Sequence, residues 1–293
     1  MTMARTAIGA TFLAVLFFGV VYAVVSPVLQ PITFPQFNLP WLTGTKVIDK
    51  YSLIKGANVS DVITRVNLNV YVKTGAINML FTNTSNLACD IIFERSTNAS
   101  ELEANYTATG DALQVNLIGE AGGMNLTLGN SYQYNGTFTI GIGGAMVELG
   151  QYANVTTFTV NVKYAGGLAL KIDNQASFQQ IDTNVDIGGV QLTVDADSLK
   201  NSGIINANVN IGGFSMTADV NTSQIGVSLN ATVDIGGIAV NHADFTGQVS
   251  TRSCSVKTVG YASAANKLDI NATIGLGGAA LQQMWPFPFS FGQ

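Results

Sequence analysis

Val185-Asp186-Ile187-Gly188-Gly189-Val190, Val209-Asn210-Ile211-Gly212-Gly213-Phe214 and Val233-Asp234-Ile235-Gly236-Gly237-Ile238 are three copies of one hexapeptide, and their reading decides the fold. Looser copies end in Gly143-Gly144, Gly166-Gly167 and Gly277-Gly278, with Gly122-Gly123 and Thr74-Gly75 as more distant relatives. From Gly122 onward the first glycines stand 21, 23, 22, 24 and 24 residues apart, at 122, 143, 166, 188, 212 and 236. The next step, to Gly277, is 41 residues, close to two periods, with Val259-Gly260-Tyr261 read as a degenerate copy between. A period this steady predicts stacked units, each burying its apolar face only against its neighbours.

Within a unit the pattern alternates. Ile205, Ala207, Val209 and Ile211 are apolar, while Asn206, Asn208 and Asn210 are polar. Beyond the glycines Phe214, Met216, Ala218 and Val220 alternate with Ser215, Thr217 and Asp219. Period two marks a strand with one buried face. A two-residue turn or arc at Gly-Gly would keep Ile211 and Phe214 on one face, and glycine supplies the positive φ such a turn needs. A continuous strand with a β-bulge is the competing reading. The fold class expected is all-β, stacked β-hairpin or β-solenoid-like repeats with a period of about 22–24, preceded by one N-terminal transmembrane helix.

That helix is read from residues 6–28, which carry no charged side chain and run through Phe12, Leu13, Val15, Leu16, Phe17, Phe18, Val20 and Val21. About 20 apolar residues span a bilayer core. Residues 1–5 would be a cytoplasmic stub held inside by Arg5, and the chain beyond would be extracellular. A signal peptide cut after Ala23 is the alternative. Pro27, Pro31, Pro35 and Pro40, with Phe34, Phe37 and Trp41 among them, make residues 29–45 an extended linker. Residues 46–282 form the extracellular β-repeat domain, its first part, 46–60, read as a short helix, with strands from Arg65. Residues 283–293 form an aromatic tail that caps the open end of the stack, whose sheet edge is otherwise unpaired.

Composition fits export. Charged residues make up 11% of the chain, and the formal charge is −5. No basic patch exists to displace counterions from phosphates, so nucleic acid is not an expected partner. Asn-X-Ser/Thr acceptors stand at Asn58, Asn83, Asn98, Asn105, Asn125, Asn135, Asn154, Asn221, Asn230 and Asn271. With 26 asparagines in the chain, chance would give roughly four. All ten lie beyond the apolar segment, on the side expected to be exported. An Asn/Thr-rich polar sheet face that generates acceptors as a by-product is the alternative.

Cys89 and Cys254 are the only cysteines, and one disulfide is a candidate in an oxidising compartment. Coils stacked at about 4.8 Å would hold the two some 35–40 Å apart, so a straight stack instead leaves buried thiols. Asp186, Asn210 and Asp234 share one place in the repeat and are candidate oxygen ligands for calcium, or part of a solvated face. His242 is the only histidine, which excludes a multi-histidine metal site, and it reads as a solvent-facing turn residue. No catalytic residue and no cofactor is expected. The Gly-Gly pairs lack the lysine and helix of a phosphate loop.

One family resemblance can be drawn. Asn125-Leu126-Thr127-Leu128-Gly129, the run from Gly136 through Ile140-Gly141-Ile142-Gly143-Gly144 to Gly150, and Val160 through Gly166-Gly167 to Leu170 resemble the toast-rack β-repeats of the putative-adhesin family of bacterial and archaeal envelope proteins. The likeness covers roughly residues 65–281. It implies a β-solenoid-like envelope domain, often membrane-tethered, with no common activity. Acceptor density and the cysteine pair depart from that pattern; the acceptors together with the expected membrane segment point to a heavily glycosylating, archaeal-type surface. The expected function is a membrane-anchored, N-glycosylated surface protein in a structural, adhesion or interaction role, not an enzyme. Its expected partners are the membrane through the N-terminal helix, glycans, and surface proteins or further copies of itself. A subunit of an extracellular filament or surface layer is the first alternative. A ligand-binding or enzymatic β-scaffold using Asp182, Asp186, Asp195 and Asp197 is the second.

Overall fold

The computed structural model describes residues 45–283. Its strands are β1 (Lys46–Ile54), β2 (Arg65–Phe81), β3 (Leu87–Ser96), β4 (Glu103–Thr109), β5 (Ala112–Leu128), β6 (Gln133–Leu149), β7 (Asn154–Asp173), β8 (Ser177–Ala196), β9 (Gly203–Val220), β10 (Ile225–Asn241), β11 (Phe245–Val249), β12 (Ser253–Thr258) and β13 (Asn266–Gln283). They form one sheet in the order β1-β3-β5-β2-β6-β7-β8-β9-β13-β10-β12-β11, with β4 beside β5. The expected transmembrane segment, and the linker and tail apart from their boundary residues, lie outside the described residues. Among those described, no helix is long and apolar enough to cross a membrane.

The strands from β5 to β10 in that order are parallel, each matching its neighbour glycine to glycine. Parallel neighbours ordinarily need a crossover of a dozen residues or more. Here residues 150–153 join β6 to β7, and 174–176 join β7 to β8. A straight 17-residue strand such as β6 would be about 56 Å long, far beyond the reach of a four-residue link. Each strand therefore doubles back at its glycine pair, so that its end lies beside its own start. One strand is one coil, and its two arms form two facing layers with the core between them.

The inward face survives the bend because its parity switches there. In β9, Ile205, Ala207 and Val209 are buried before the glycines, and Phe214, Met216 and Ala218 after them. The strand runs unbroken through the glycines and puts Ile211 and Phe214 on opposite faces, as the competing continuous-strand reading has it; the expected turn or arc, which would keep both on one face, is corrected. A hairpin within each unit is not found: Ile211 pairs with Ile187 and Leu276, while Phe214 pairs with Val190 and Ala279. Phe214 is buried, whereas Ile211 sits on the outside of the bend, half-buried.

Two further expectations are corrected. Residues 46–54 are strand β1 rather than a helix. Val259-Gly260-Tyr261 is no coil; it lies in the link from β12 to β13, and the long repeat step contains the antiparallel pair β11 and β12. The structure adds that chain order is not stack order: β5 lies outside β2, and β13, the last of the described strands, sits between β9 and β10.

Antiparallel strands cover three of the four arms that end the stack. β4 covers the first arm of β5, β3 covers its second arm, and β12 covers the first arm of β10. Inside, Phe138 and Phe158 meet edge-on at 5.1 Å, and Phe81 stacks on Phe158 at 6.4 Å. Glycines make room for rings: a Cβ at Gly203 would lie 2.5 Å from the Phe178 ring, and one at Gly136 would lie 2.7 Å from Phe138. At the β1 end, Arg95 Nε donates to Asp49 Oδ2 at 2.7 Å, and the Leu102 N–H donates to the same oxygen at 3.1 Å. This clamp ties β1, β3 and the link to β4 together.

Candidate interaction surface

In-register stacking sets like residues above one another at about 4.8 Å, and an amide can both donate and accept. The outer face of the first arm consequently carries amide ladders. Asn208 Nδ2 donates to Asn184 Oδ1 at 3.0 Å, and Asn184 Nδ2 to Asn161 Oδ1 at 2.9 Å. A second row runs Asn230, Asn271, Asn206, Asp182, with donor–acceptor distances of 3.4, 3.0 and 2.8 Å.

Four of the acceptor asparagines belong to such ladders. Asn230 and Asn271 are in the row just described. Asn125 Oδ1 accepts from Asn78, and Asn135 Nδ2 donates to Asn67. Asn105 is exposed on β4, and Asn83, Asn98, Asn154 and Asn221 are exposed at the coil ends and links. Asn58 is exposed, but its side chain is engaged: Nδ2 donates to Ser52 O, and Oδ1 accepts from the Ile54 N–H, both at 2.7 Å. Asn135 is half-buried, and the other nine are exposed.

The remaining candidates are placed as follows. Cys89 on β3 and Cys254 on β12 are buried free thiols at opposite ends of the stack. Nine strand spacings, roughly 43 Å, separate their strands, against the ~7 Å that a disulfide tolerates. This corrects the candidate bridge. Burial pushes the Cys89 thiol up to about 12. Asn210 Nδ2 donates to Asp186 Oδ1 at 3.0 Å. Insertion of β13 then puts Gly275 between Asn210 and Asp234, so the three candidate calcium ligands do not form one continuous row. Among the described residues there is no group of three or more His, Cys, Asp or Glu that could hold a metal.

His242 is half-buried rather than solvent-facing. Its Nε2 lies 2.9 Å from Ala218 O, its Nδ1 accepts from the Asp244 N–H at 3.3 Å, and its ring meets Phe245 edge-on at 4.7 Å. These partners use both ring nitrogens for structure. Asp182 and Asp186 lie on the first arm of β8, and Asp195 on its second arm, in the other layer. Asp197 lies beyond β8, so the four carboxylates do not converge. Two shallow recesses, of about 540 and 470 Å³, lie beside Tyr152 and Lys200 and beside Asn230 and Ser253.

One feature escaped the sequence reading. Ile187, Ile211, Leu276 and Ile235 stand in register across four consecutive coils on the outside of the bend. Leu276 is 46% exposed and Ile235 62%, and Ile142, at the same place in β6, is 46%. The signal was the isoleucine that precedes each glycine pair, which period two assigns to the core.

The class of protein is thus an all-β stack of parallel, glycine-bent coils with strand-capped ends. No family model matches the chain, and no curated protein matches it. Among solved structures, a putative cell adhesion protein from Clostridium sporogenes ATCC 15579 is similar at 17% identity and a TM-score of 0.46, over 81% of this chain and 100% of that one. A putative adhesin from Parabacteroides distasonis ATCC 8503 is similar at 12% identity and a TM-score of 0.24, over 82% and 98%. At TM-scores below 0.5 neither likeness decides the fold or the function of this chain.

Proposed function

We propose that this chain is an exported, membrane-anchored, N-glycosylated cell-surface protein with a structural, adhesion or interaction role and no catalysis. The observation that carries the reading is the placement of the ten acceptor asparagines: none is in the core, and they are spread from Asn58 to Asn271 around the stack. A glycan on Nδ2 leaves the second amide hydrogen free, so the ladders of Asn125, Asn230 and Asn271 tolerate one. The apolar column at the bend offers a contact surface for a protein partner. Peptide mass spectrometry of the protein taken from its native membrane tests the reading. Retained peptides from residues 6–28 and glycans on acceptor asparagines are expected. A chain starting near residue 24 with bare asparagines would overturn it.

A second reading, a subunit of an extracellular filament or surface layer, is favoured by one observation: among the described residues no strand covers the second arm of β10. Electron microscopy of surface preparations separates the two readings, since labelled protein absent from every ordered polymer would remove the second.

A further inference from the structure

A recess of about 540 Å³ lies across three links between coils, within the range of small-molecule sites, about 300–1,000 Å³. The links are residues 150–153 between β6 and β7, 174–176 between β7 and β8, and 197–202 between β8 and β9. Gln151 and Tyr152 of the first, Gln175 of the second and Lys200 of the third line it, with Asn130 and Asn154 beside them. The frame is tied together. Lys200 Nζ reaches past the middle link and donates to Gln151 O at 2.6 Å, and the Gln175 N–H donates to Ser198 O at 2.8 Å. Gln175 is the one non-glycine among the described residues with a positive φ, 60°, a conformation that side chains with a Cβ adopt at a cost.

We propose that this recess is a saccharide site, and that its occupant is the first sugar of an N-linked glycan on Asn154. The proposal rests on the reading of the chain as a glycoprotein. Asn154 opens β7 and begins the acceptor Asn154-Val155-Thr156. It is exposed, and its side chain makes no hydrogen bond among the described residues, whereas those of Asn125, Asn221, Asn230 and Asn271 are engaged. Tyr152 stands two positions earlier, and the buried Ala153 between them leaves both on the outer side of the chain. Two residues of extended chain span about 6.6 Å, so a sugar attached at Nδ2 starts beside the Tyr152 side chain.

The lining matches a sugar. A pyranose presents C–H groups on its faces and hydroxyls around its rim. A tyrosine, with an apolar body and a polar tip, receives the C–H face, and Tyr152 is the one aromatic residue among those described that line the recess. Side-chain amides donate and accept, and an ammonium donates three hydrogens, which suits them to the hydroxyls. Asn130 Nδ2 and Gln175 Nε2 each give one hydrogen to a neighbour, Asn83 and Ser198. That fixes their positions and leaves the second hydrogen of each free. Lys200 likewise keeps two beyond the one given to Gln151. A sugar carried by another molecule has the same ring chemistry; the tether at Asn154 favours the chain's own.

The test uses the full chain and its variants, all taken from the native membrane. Site-resolved glycopeptide mass spectrometry is expected to find a glycan on Asn154, in the parent and in every variant that keeps this asparagine. Melting points are then compared in pairs. Asn154→Gln is expected to lower the melting point by about 2–4 °C in the parent and in Tyr152→Phe, which keeps the ring. In Tyr152→Ala the same change is expected to do nothing, because sugar and ring act as a pair. An equal shift in all three backgrounds, zero included, would overturn the proposal and leave the recess to a sugar from another molecule or to none. A bare Asn154 beside occupied acceptors elsewhere would overturn it while the proposed function stands. Bare asparagines throughout would overturn both, so the two failures are distinguishable.

Discussion

The first glycine of each pair is the residue on which the stack rests. Gly212 has φ 137°, a region that side chains with a Cβ rarely adopt. A Cβ there would also lie 1.5 Å from the Gly188 carbonyl oxygen of the next coil. The second glycine is less confined: a Cβ would lie 2.8 Å from Gly167 O at Gly144 and 3.0 Å from Gly213 O at Gly189, and at Gly123 it would meet nothing within 4 Å; β2 itself carries Ala76 at that place, in register with Gly123 and Gly144. Gly212→Ala should therefore cost about 3 kcal/mol or more, from strain plus overlap. Gly123→Ala should stay within about 0.5 kcal/mol. Urea midpoints of the two variants check this pair. Thr74-Gly75-Ala76 already held the distinction in the sequence, but it passes unnoticed beside the more frequent Gly-Gly.

At the scale of the element, β1 is held by a charge rather than by its core contacts. Of its residues only Leu53 is buried, whereas Arg95 and Asp49 are 8% and 14% exposed. The Arg95 guanidinium bonded to Asp49 holds that carboxyl below its ordinary value of 3.8, against the burial that pushes it up. A carboxylate whose pKa falls on folding contributes stability that is full above its unfolded pKa and lost as pH falls through the folded one. The urea midpoint of the parent chain is thus expected to fall below about pH 4, and that of Asp49→Asn, lower at pH 7, to fall less over the same range. Phe158, fully buried between Phe81 and Phe138, tests the core in the same way. Phe158→Ala should cost about 3–5 kcal/mol, read as a melting point lower by roughly 10 °C.

The elements were unequally legible. Alternation alone locates the long strands, because each buries one whole face. β1 is misread because it buries almost nothing, so period two leaves no trace. The capping strands carry no repeat and are set by which coil happens to be outermost. The column outside the bend was misassigned because parity switches at the glycines, which no count along a straight strand reveals.

At the largest scale, the described residues form one continuous core along the sheet, elongated by twelve strands in file, or about 53 Å at the usual spacing. That length separates the two cysteines, and it follows from repeat period and coil spacing before any coordinates are known. Stack order does not: near-identical coils give no information about which neighbour each selects. The prediction at this scale is that Cys89 and Cys254 react with a maleimide at pH 8 only after unfolding in urea. Non-reducing mass spectrometry should find no peptide joining them.

The position of β13 has a temporal consequence. A chain emerges from the ribosome, or from a translocation pore, amino end first. The coils from β2 to β9 can assemble as they appear, but β10 arrives before the strand that belongs between it and β9. Until β13 threads in, β10 with β11 and β12 has no seat on the stack. The gap it waits beside has two open edges, each able to accept a strand from any neighbouring chain. Maturation of this protein is therefore a closing step performed by β13, and synthesis at high density sets intramolecular closure in a race against exchange between neighbours.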